Sequence, residues 1–202
     1  MLRSALLRRA TRLSMVLPVA LTLSGITLLS FSVAKAALPL GSTAPLFDTP
    51  ASLGGKQFNF SLAEALHKGP VVLYFYPAAF TRGCTIEAHD FADAMDQFKA
   101  LGATVIGVSM DKIETLDRFS VSECRSRFPV ASDPAGKIAS SYDSKMKLLH
   151  YANRTSYVIA PDGHILYAYS AMAPEGHISG TLAALRAWKA VGSTTPTPTP
   201  QH

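Results

Sequence analysis

Val71 to Phe91 reads VVLYFYPAAFTRGCTIEAHDF. Val71–Tyr76 is an unbroken apolar, β-branched and aromatic run, the pattern of a strand covered on both faces. Pro77 ends it, because proline has no N–H to give a ladder. From Thr81 or Arg82 to about Ala100 the pattern turns helical. Ala88, Phe91, Met95 and Phe98 fall near one face, and Glu87, Asp90, Asp93 and Lys99 mostly elsewhere. Cys84 is thereby placed in the first turn of a helix fed by a buried strand. The unpaired N–H groups and positive dipole end of such a turn favour a thiolate. The thiolate, not the thiol, is the nucleophile.

Working outward, Ala37–Thr49 is punctuated by Pro and Gly and reads as extended. Gly54-Gly55 between short apolar pieces predicts a hairpin over Ala51–Phe60. Ser61-Leu62-Ala63-Glu64 has the capping-box pattern and predicts a short helix through His67, stopped by Gly69-Pro70. Beyond the central helix, Leu101-Gly102 closes it, and TVIGVS at Thr104–Ser109 is a second buried strand. Asp111 to about Arg127 is read as helix, Phe128–Ala131 as extended, and Gly136–Tyr142 as a short helix. TSYVIA at Thr155–Ala160 and HILYAY at His164–Tyr169 flank the turn Pro161-Asp162-Gly163, a strand pair. Glu175–Val191 is a final helix, with Ile178, Leu182, Leu185 and Trp188 on one face. Strand and helix alternate, then a hairpin and a helix close the chain. That order predicts an α/β sheet with helices on both faces, and it resembles the thioredoxin fold. No internal repeat is visible.

The two ends fall outside this plan. Arg3, Arg8, Arg9 and Arg12 precede an apolar stretch, Met15–Val33, that ends in Ala34-Lys35-Ala36. Charge, order and the small-x-small ending predict a secretory signal peptide over 1–36. The apolar run approaches spanning length, so an uncleaved anchor is the rival reading. The domain is then 37–191. The tail 192–202, GSTTPTPTPQH, alternates Thr and Pro and is expected to stay disordered and polyproline-like. Residues 1–36 hold five basic and no acidic residues, so their removal takes the net charge from +5 to 5 − 5 = 0. Nothing in the mature charge points to nucleic acid or to an anionic membrane surface.

The 2 cysteines, Cys84 and Cys124, both lie in the mature domain. In an exported chain a pair is first read as a disulfide. Dithiol exchange of the thioredoxin type needs Cys-x-x-Cys, and here Thr81 stands in place of the first cysteine of Thr81-Arg82-Gly83-Cys84. A hydroxyl there forms no disulfide but can hydrogen-bond a thiolate or a substrate oxygen. The 6 histidines show no ligand spacing, so no metal site is expected, and no Gly-rich phosphate loop is present.

Pro77-x-x-x-Thr81-x-x-Cys84 behind an apolar strand, continued as Gly83-Cys84-Thr85-x-Glu87-Ala88-x-x-Phe91, resembles the peroxiredoxins, most closely the bacterioferritin-comigratory or Q-type group. Phe128-Pro129-Val130-x-Ser132-Asp133, Asn153-Arg154-Thr155 and Pro161-Asp162-Gly163 extend the likeness over about residues 38–190. The resemblance implies that Cys84 attacks a peroxide and becomes a sulfenic acid. It implies that Thr81 hydrogen-bonds sulfur and peroxide, that Pro77 shields the site from water, and that Arg154 holds the thiolate by charge. Glu87 is expected to orient Arg154. Many group members carry a second cysteine five residues after the first; here that place is His89. Others carry it in the helix after the second strand, where Cys124 is expected, with Arg125 beside it to keep it reactive. A Cys84–Cys124 disulfide as turnover intermediate follows from the resemblance, with the helix around Cys84 unwinding to form it.

The implied partners are a peroxide and a thioredoxin-like dithiol reductant, with no cofactor, in a monomer or weak dimer exported to the bacterial periplasm. Three other readings compete. A thiol–disulfide oxidoreductase for proteins would want Cys-x-x-Cys. A non-enzymatic peroxide sensor would oxidise once and turn over slowly with every reductant. A copper-delivery protein on this fold would want Cys-x-x-x-Cys and a histidine.

Overall fold

A computed structural model describes residues 37–193. The segment read as a signal peptide, 1–36, and most of the tail 192–202 lie outside these residues. The elements are β1 (Asp48–Leu53), β2 (Lys56–Ser61), α1 (Leu62–Leu66), β3 (Val71–Phe75), α2 (Arg82–Ala100), β4 (Thr104–Ser109), α3 (Ile113–Ser122), β5 (Val130–Ser132), α4 (Lys137–Ser141), β6 (Thr155–Ile159), β7 (Ile165–Ser170) and α5 (His177–Ser193). One seven-stranded sheet has the order β2-β1-β5-β4-β3-β6-β7. β3 runs parallel to β4, and β4 to β5, while β6 and β7 are antiparallel.

β3 is the central strand, and its sequence explains why it has no polar face. Val72, Tyr74 and Tyr76 point into the core shared with α2, α3 and α5. Val71, Leu73 and Phe75 point into the opposite core, shared with α1 and α4. The two-residue period of a strand divides an all-apolar run between two layers. Tyr74 pairs with Gly107 on β4. A Cβ at Gly107 would lie 2.6 Å from the Tyr74 ring. Gly107→Ala is therefore expected to lower stability by about 2–3 kcal/mol through overpacking, read as an earlier urea midpoint.

The expected elements form with three differences. α3 ends at Ser122, not near Arg127, so Cys124 lies beyond the helix in a turn. Arg125 (φ 50°) and Ser126 (φ 54°) adopt left-handed backbone there, which a continuing helix forbids. Ser61 precedes α1 but makes no side-chain cap, so the capping-box pattern is unused. α5 begins at His177, two residues later than read, because Gly176 takes φ 90°. Among the described residues, no helix is long and apolar enough to cross a membrane.

Candidate active site

The site forms where β3 hands the chain to α2. Between them, Asp111, just past the end of β4, fixes the connecting loop. Its Oδ2 accepts from Ala79 N–H at 2.8 Å and from Ser109 O–H at 2.8 Å. Thr81 O–H donates to Ala78 C=O at 2.9 Å. Phe80 is held at φ 64°, its ring edge-on to Phe119 at 5.3 Å between centroids. A non-glycine residue in this region is strained and persists only where neighbours enforce it. Pro77 borders an open cleft with Met110, Asp111 and Tyr151.

Thr81 is the N-cap of α2 in extended conformation, and its side chain is exposed rather than bonded to the helix. Cys84 is the third helical residue, 2% exposed. Arg154 reaches it from just before β6: Nη2 donates to Cys84 Sγ at 3.4 Å, and Arg154 is only 3% exposed. A lone arginine is more often a surface cation; this one is buried and aimed at sulfur. Gly83 makes room for it, since a Cβ there would meet Nη2 at 3.0 Å. Arg154 Nε donates to Met172 C=O at 3.0 Å. Its Nη1 donates to Glu87 Oε2 in a buried ion pair. Glu87 thus occupies the orienting position expected of it. Burial works against the charge on Arg154, yet Glu87 and Cys84 outweigh it and hold the guanidinium above its ordinary pKa. Burial pushes the Glu87 carboxyl up to about 8 against the pull of Arg154.

Sequence reasoning missed two members of this environment. His177, fully buried, has Nδ1 2.8 Å from Ser156 Oγ and Nε2 3.0 Å from Ala171 C=O. Asp111 was readable only through topology: it follows a strand parallel to β3, and open α/β sheets place their sites beyond such strand ends.

Cys124 is free, as is Cys84, and both belong to one apolar cluster. Cys124 is 0% exposed, and burial, then the charge of Glu123, push its thiol up. Arg125 does not serve it as expected; its guanidinium instead pairs with Asp93 on α2. Arg127 pairs with Asp96, and His89 Nε2 lies 3.0 Å from Glu123. Three surface pairs therefore clasp the Cys124 turn to α2, the helix whose first turn holds Cys84. Tyr74 and Tyr76 lie within electrostatic reach of both sulfurs, and the buried Tyr74 hydroxyl has no hydrogen-bond partner. Among the described residues no cluster of His, Cys, Asp or Glu is fit to hold a metal.

A buried cysteine at a helix start, held by an arginine and lacking a neighbouring second cysteine, defines a thiol-based redox centre on a thioredoxin-like sheet. Residues 40–168 match the AhpC/TSA family. Peroxiredoxin Bcp of Xanthomonas campestris pv. campestris is 32% identical over 150 residues, covering 71% of this chain and 92% of that protein. Peroxiredoxin Bcp of Escherichia coli is 33% identical over 146 residues, covering 69% and 90%. The crystal structure of peroxidoxin BcpB from Mycobacterium tuberculosis superposes with a TM-score of 0.68 at 34% identity, covering 74% of this chain and 97% of that one. The chain belongs to the AhpC/TSA peroxiredoxin family, in its Bcp-type branch, and is a thiol peroxidase.

Proposed function

We propose that this peroxidase reduces hydrogen peroxide or organic hydroperoxides through Cys84, forms a Cys84–Cys124 disulfide, and is re-reduced by a thioredoxin-like dithiol protein. The observation that carries the assignment is the Arg154 Nη2 contact to Cys84 Sγ, with Glu87 clamping the far side of the same guanidinium. Attack by sulfur on one peroxide oxygen forms the S–O bond and breaks O–O. The leaving oxygen departs as an alcohol or water, and sulfur is oxidised by two electrons to a sulfenic acid. Thr81, exposed beside the helix start, offers its oxygen to the incoming peroxide. Pro77, at the cleft border, screens the sulfur from water.

Cys124 sits in the core, so resolution requires its turn and the first turn of α2 to open together. The left-handed pair Arg125-Ser126 favours such opening, and the two arginine–aspartate ion pairs with the His89–Glu123 contact oppose it. Exposed pairs contribute only about 0.2–1 kcal/mol each. The Arg125→Ala/Arg127→Ala variant is accordingly expected to speed disulfide formation about threefold to tenfold in stopped-flow fluorescence, with the first oxidation step unchanged.

The same reading places the mature chain, residues 37–191 with the Thr-Pro tail 192–202, in the periplasm after loss of 1–36, as a monomer or weak dimer. Its basis is the Arg-rich, apolar, Ala-x-Ala order of the leader. Intact-mass and peptide mapping after one equivalent of peroxide tests the chemistry. A Cys84–Cys124 disulfide supports it; lasting Cys84 sulfenic acid with free Cys124 leaves a one-cysteine peroxidase.

A further inference from the structure

On α2, His89, Asp93 and Asp96 share one face, spaced by four and then three residues. From the Cys124 turn, Glu123 meets His89, Arg125 meets Asp93 and Arg127 meets Asp96. The turn therefore runs alongside α2 in the direction of the helix. Its end nearest the start of α2, where Cys84 lies, is Glu123-Cys124. Glu123 N–H and Cys124 N–H both donate to Phe119 C=O, at 2.9 and 3.0 Å, so the two residues are drawn into one tight bend. The Cys124 side chain packs inward, in one apolar cluster with Ala88 and Ala92 of α2. His89 is half-buried beside that bend, its Nε2 3.0 Å from Glu123 Oε2. It stands between Cys124 and the first turn of α2, on the side from which Cys124 must approach Cys84.

We propose that His89 is the general base of disulfide formation, taking the proton from the Cys124 thiol as that sulfur attacks the Cys84 sulfenic acid. A neutral imidazole has one N–H and one bare nitrogen. Glu123, an acceptor, holds the N–H at Nε2, which leaves Nδ1 to receive a proton. A base oriented by a third group is the general means of activating a thiol or hydroxyl. Cys124 needs such help. Burial, then the charge of Glu123, disfavour its thiolate, and the thiolate is the form that attacks. As the turn opens, the Cys124 sulfur moves out past the ring. It bonds to the Cys84 sulfur while the S–O bond breaks. The thiol proton passes to His89 and from there to the departing hydroxide, which leaves as water. His89 ends neutral, as it began.

The charged groups around the ring come from both elements. Glu123 faces it from the turn, and Asp90 adjoins it on α2, with Glu175, just ahead of α5, within reach of Asp90. Asp93, about one turn on, is paired with Arg125. A protonated His89 holds Glu123 as an ion pair, keeps the turn clasped and has no place for the thiol proton. Disulfide formation should therefore rise with pH through the range in which imidazoles titrate, about pH 6–7. A plain surface clasp makes the opposite forecast for loss of the ring. Removing it would only loosen the turn and speed the disulfide, as expected of Arg125→Ala/Arg127→Ala.

This role rests on the Cys84–Cys124 disulfide proposed above, and one experiment separates the two. The reduced protein, His89→Gln and His89→Ala each receive one equivalent of hydrogen peroxide. Disulfide formation is followed by stopped-flow fluorescence and by mass spectrometry of quenched samples, from about pH 5 to about pH 9. His89→Gln is expected to form the disulfide about tenfold to a hundredfold more slowly at neutral pH. It should also lose the rise across the imidazole range and climb only toward alkaline pH, where the thiol ionises unaided. Added imidazole should restore part of the rate in His89→Ala, where the missing ring leaves room for it. A His89→Gln rate equal to or above that of the unaltered protein overturns the role, and so does a His89→Ala that imidazole does not rescue. The orienting part of Glu123 is read separately by ¹⁵N NMR: Glu123→Ala should turn His89 from the Nε2–H tautomer into a mixture, and an unchanged tautomer overturns that part. If the unaltered protein forms no Cys84–Cys124 disulfide, both readings fall. If it forms one and the His89 variants keep pace, only the role of His89 falls.

Discussion

Cys84→Ser is expected to lower peroxide consumption by at least about three orders of magnitude, the scale seen when a covalent nucleophile is removed. A serine hydroxyl in the same place faces the same arginine but does not ionise near neutral pH. Cys124 cannot substitute, because it is fully buried and its thiol is held protonated by burial and by Glu123. Cys124→Ser should behave differently. Its first oxidation by peroxide should keep the unaltered rate, since nothing at Arg154 or Thr81 changes. Turnover with a dithiol protein should then fall about tenfold or more, and Cys84 sulfenic acid should accumulate. Stopped-flow peroxide consumption with mass spectrometry of the trapped protein separates the two. Full activity in Cys84→Ser would end the assignment of Cys84.

The contrast between these cysteines shows what the chain discloses by itself. β3 was legible because six consecutive apolar residues admit no polar face, and the helix start after Pro77 followed from local pattern. Cys84 and its thiolate-favouring turn were therefore readable within one stretch. Arg154 lies seventy residues away, and only the resemblance to a family motif joins it to Cys84; local rules cannot. The turn at Cys124 was misread because helical periodicity runs on through Glu123-Cys124-Arg125, while the backbone there breaks into left-handed geometry that no glycine announces. Arg125 followed the same error. Placed on a helix it would flank the sulfur; placed in the turn it reaches Asp93. His177 was unreadable for another reason. A lone histidine at a helix start carries no local signal, and its partners Ser156 and Glu87 arrive from two other elements.

Arg154→Met carries the second large effect, and it separates catalysis from stability. Peroxide reduction should drop about a hundredfold or more, since the buried cation that donates to the sulfur is lost, and with it the charge that orients the peroxide. Stability should fall as well, most of all above pH 8, where an ionised Glu87 would be left buried without its partner; breaking such a pair from one side costs about 3–5 kcal/mol. The loss should depend on pH in a defined direction. Folded Glu87 keeps its proton up to about pH 8, against an ordinary value of 4.5. Its contribution to stability is therefore fully present below pH 4.5 and is lost as pH rises through 8. Removing Arg154 removes the charge that opposes this rise, so the variant's folded Glu87 holds its proton to still higher pH and the variant should be penalised more at pH 9 than at pH 5. Thermal unfolding at the two pH values measures the difference. The double variant Arg154→Met/Glu87→Gln should regain most of the stability and lose the extra pH dependence, because no buried charge remains to be matched. It should regain none of the peroxidase activity. Recovery of activity in the double variant would mean that Arg154 serves only to neutralise Glu87, and that Cys84 reacts without its help.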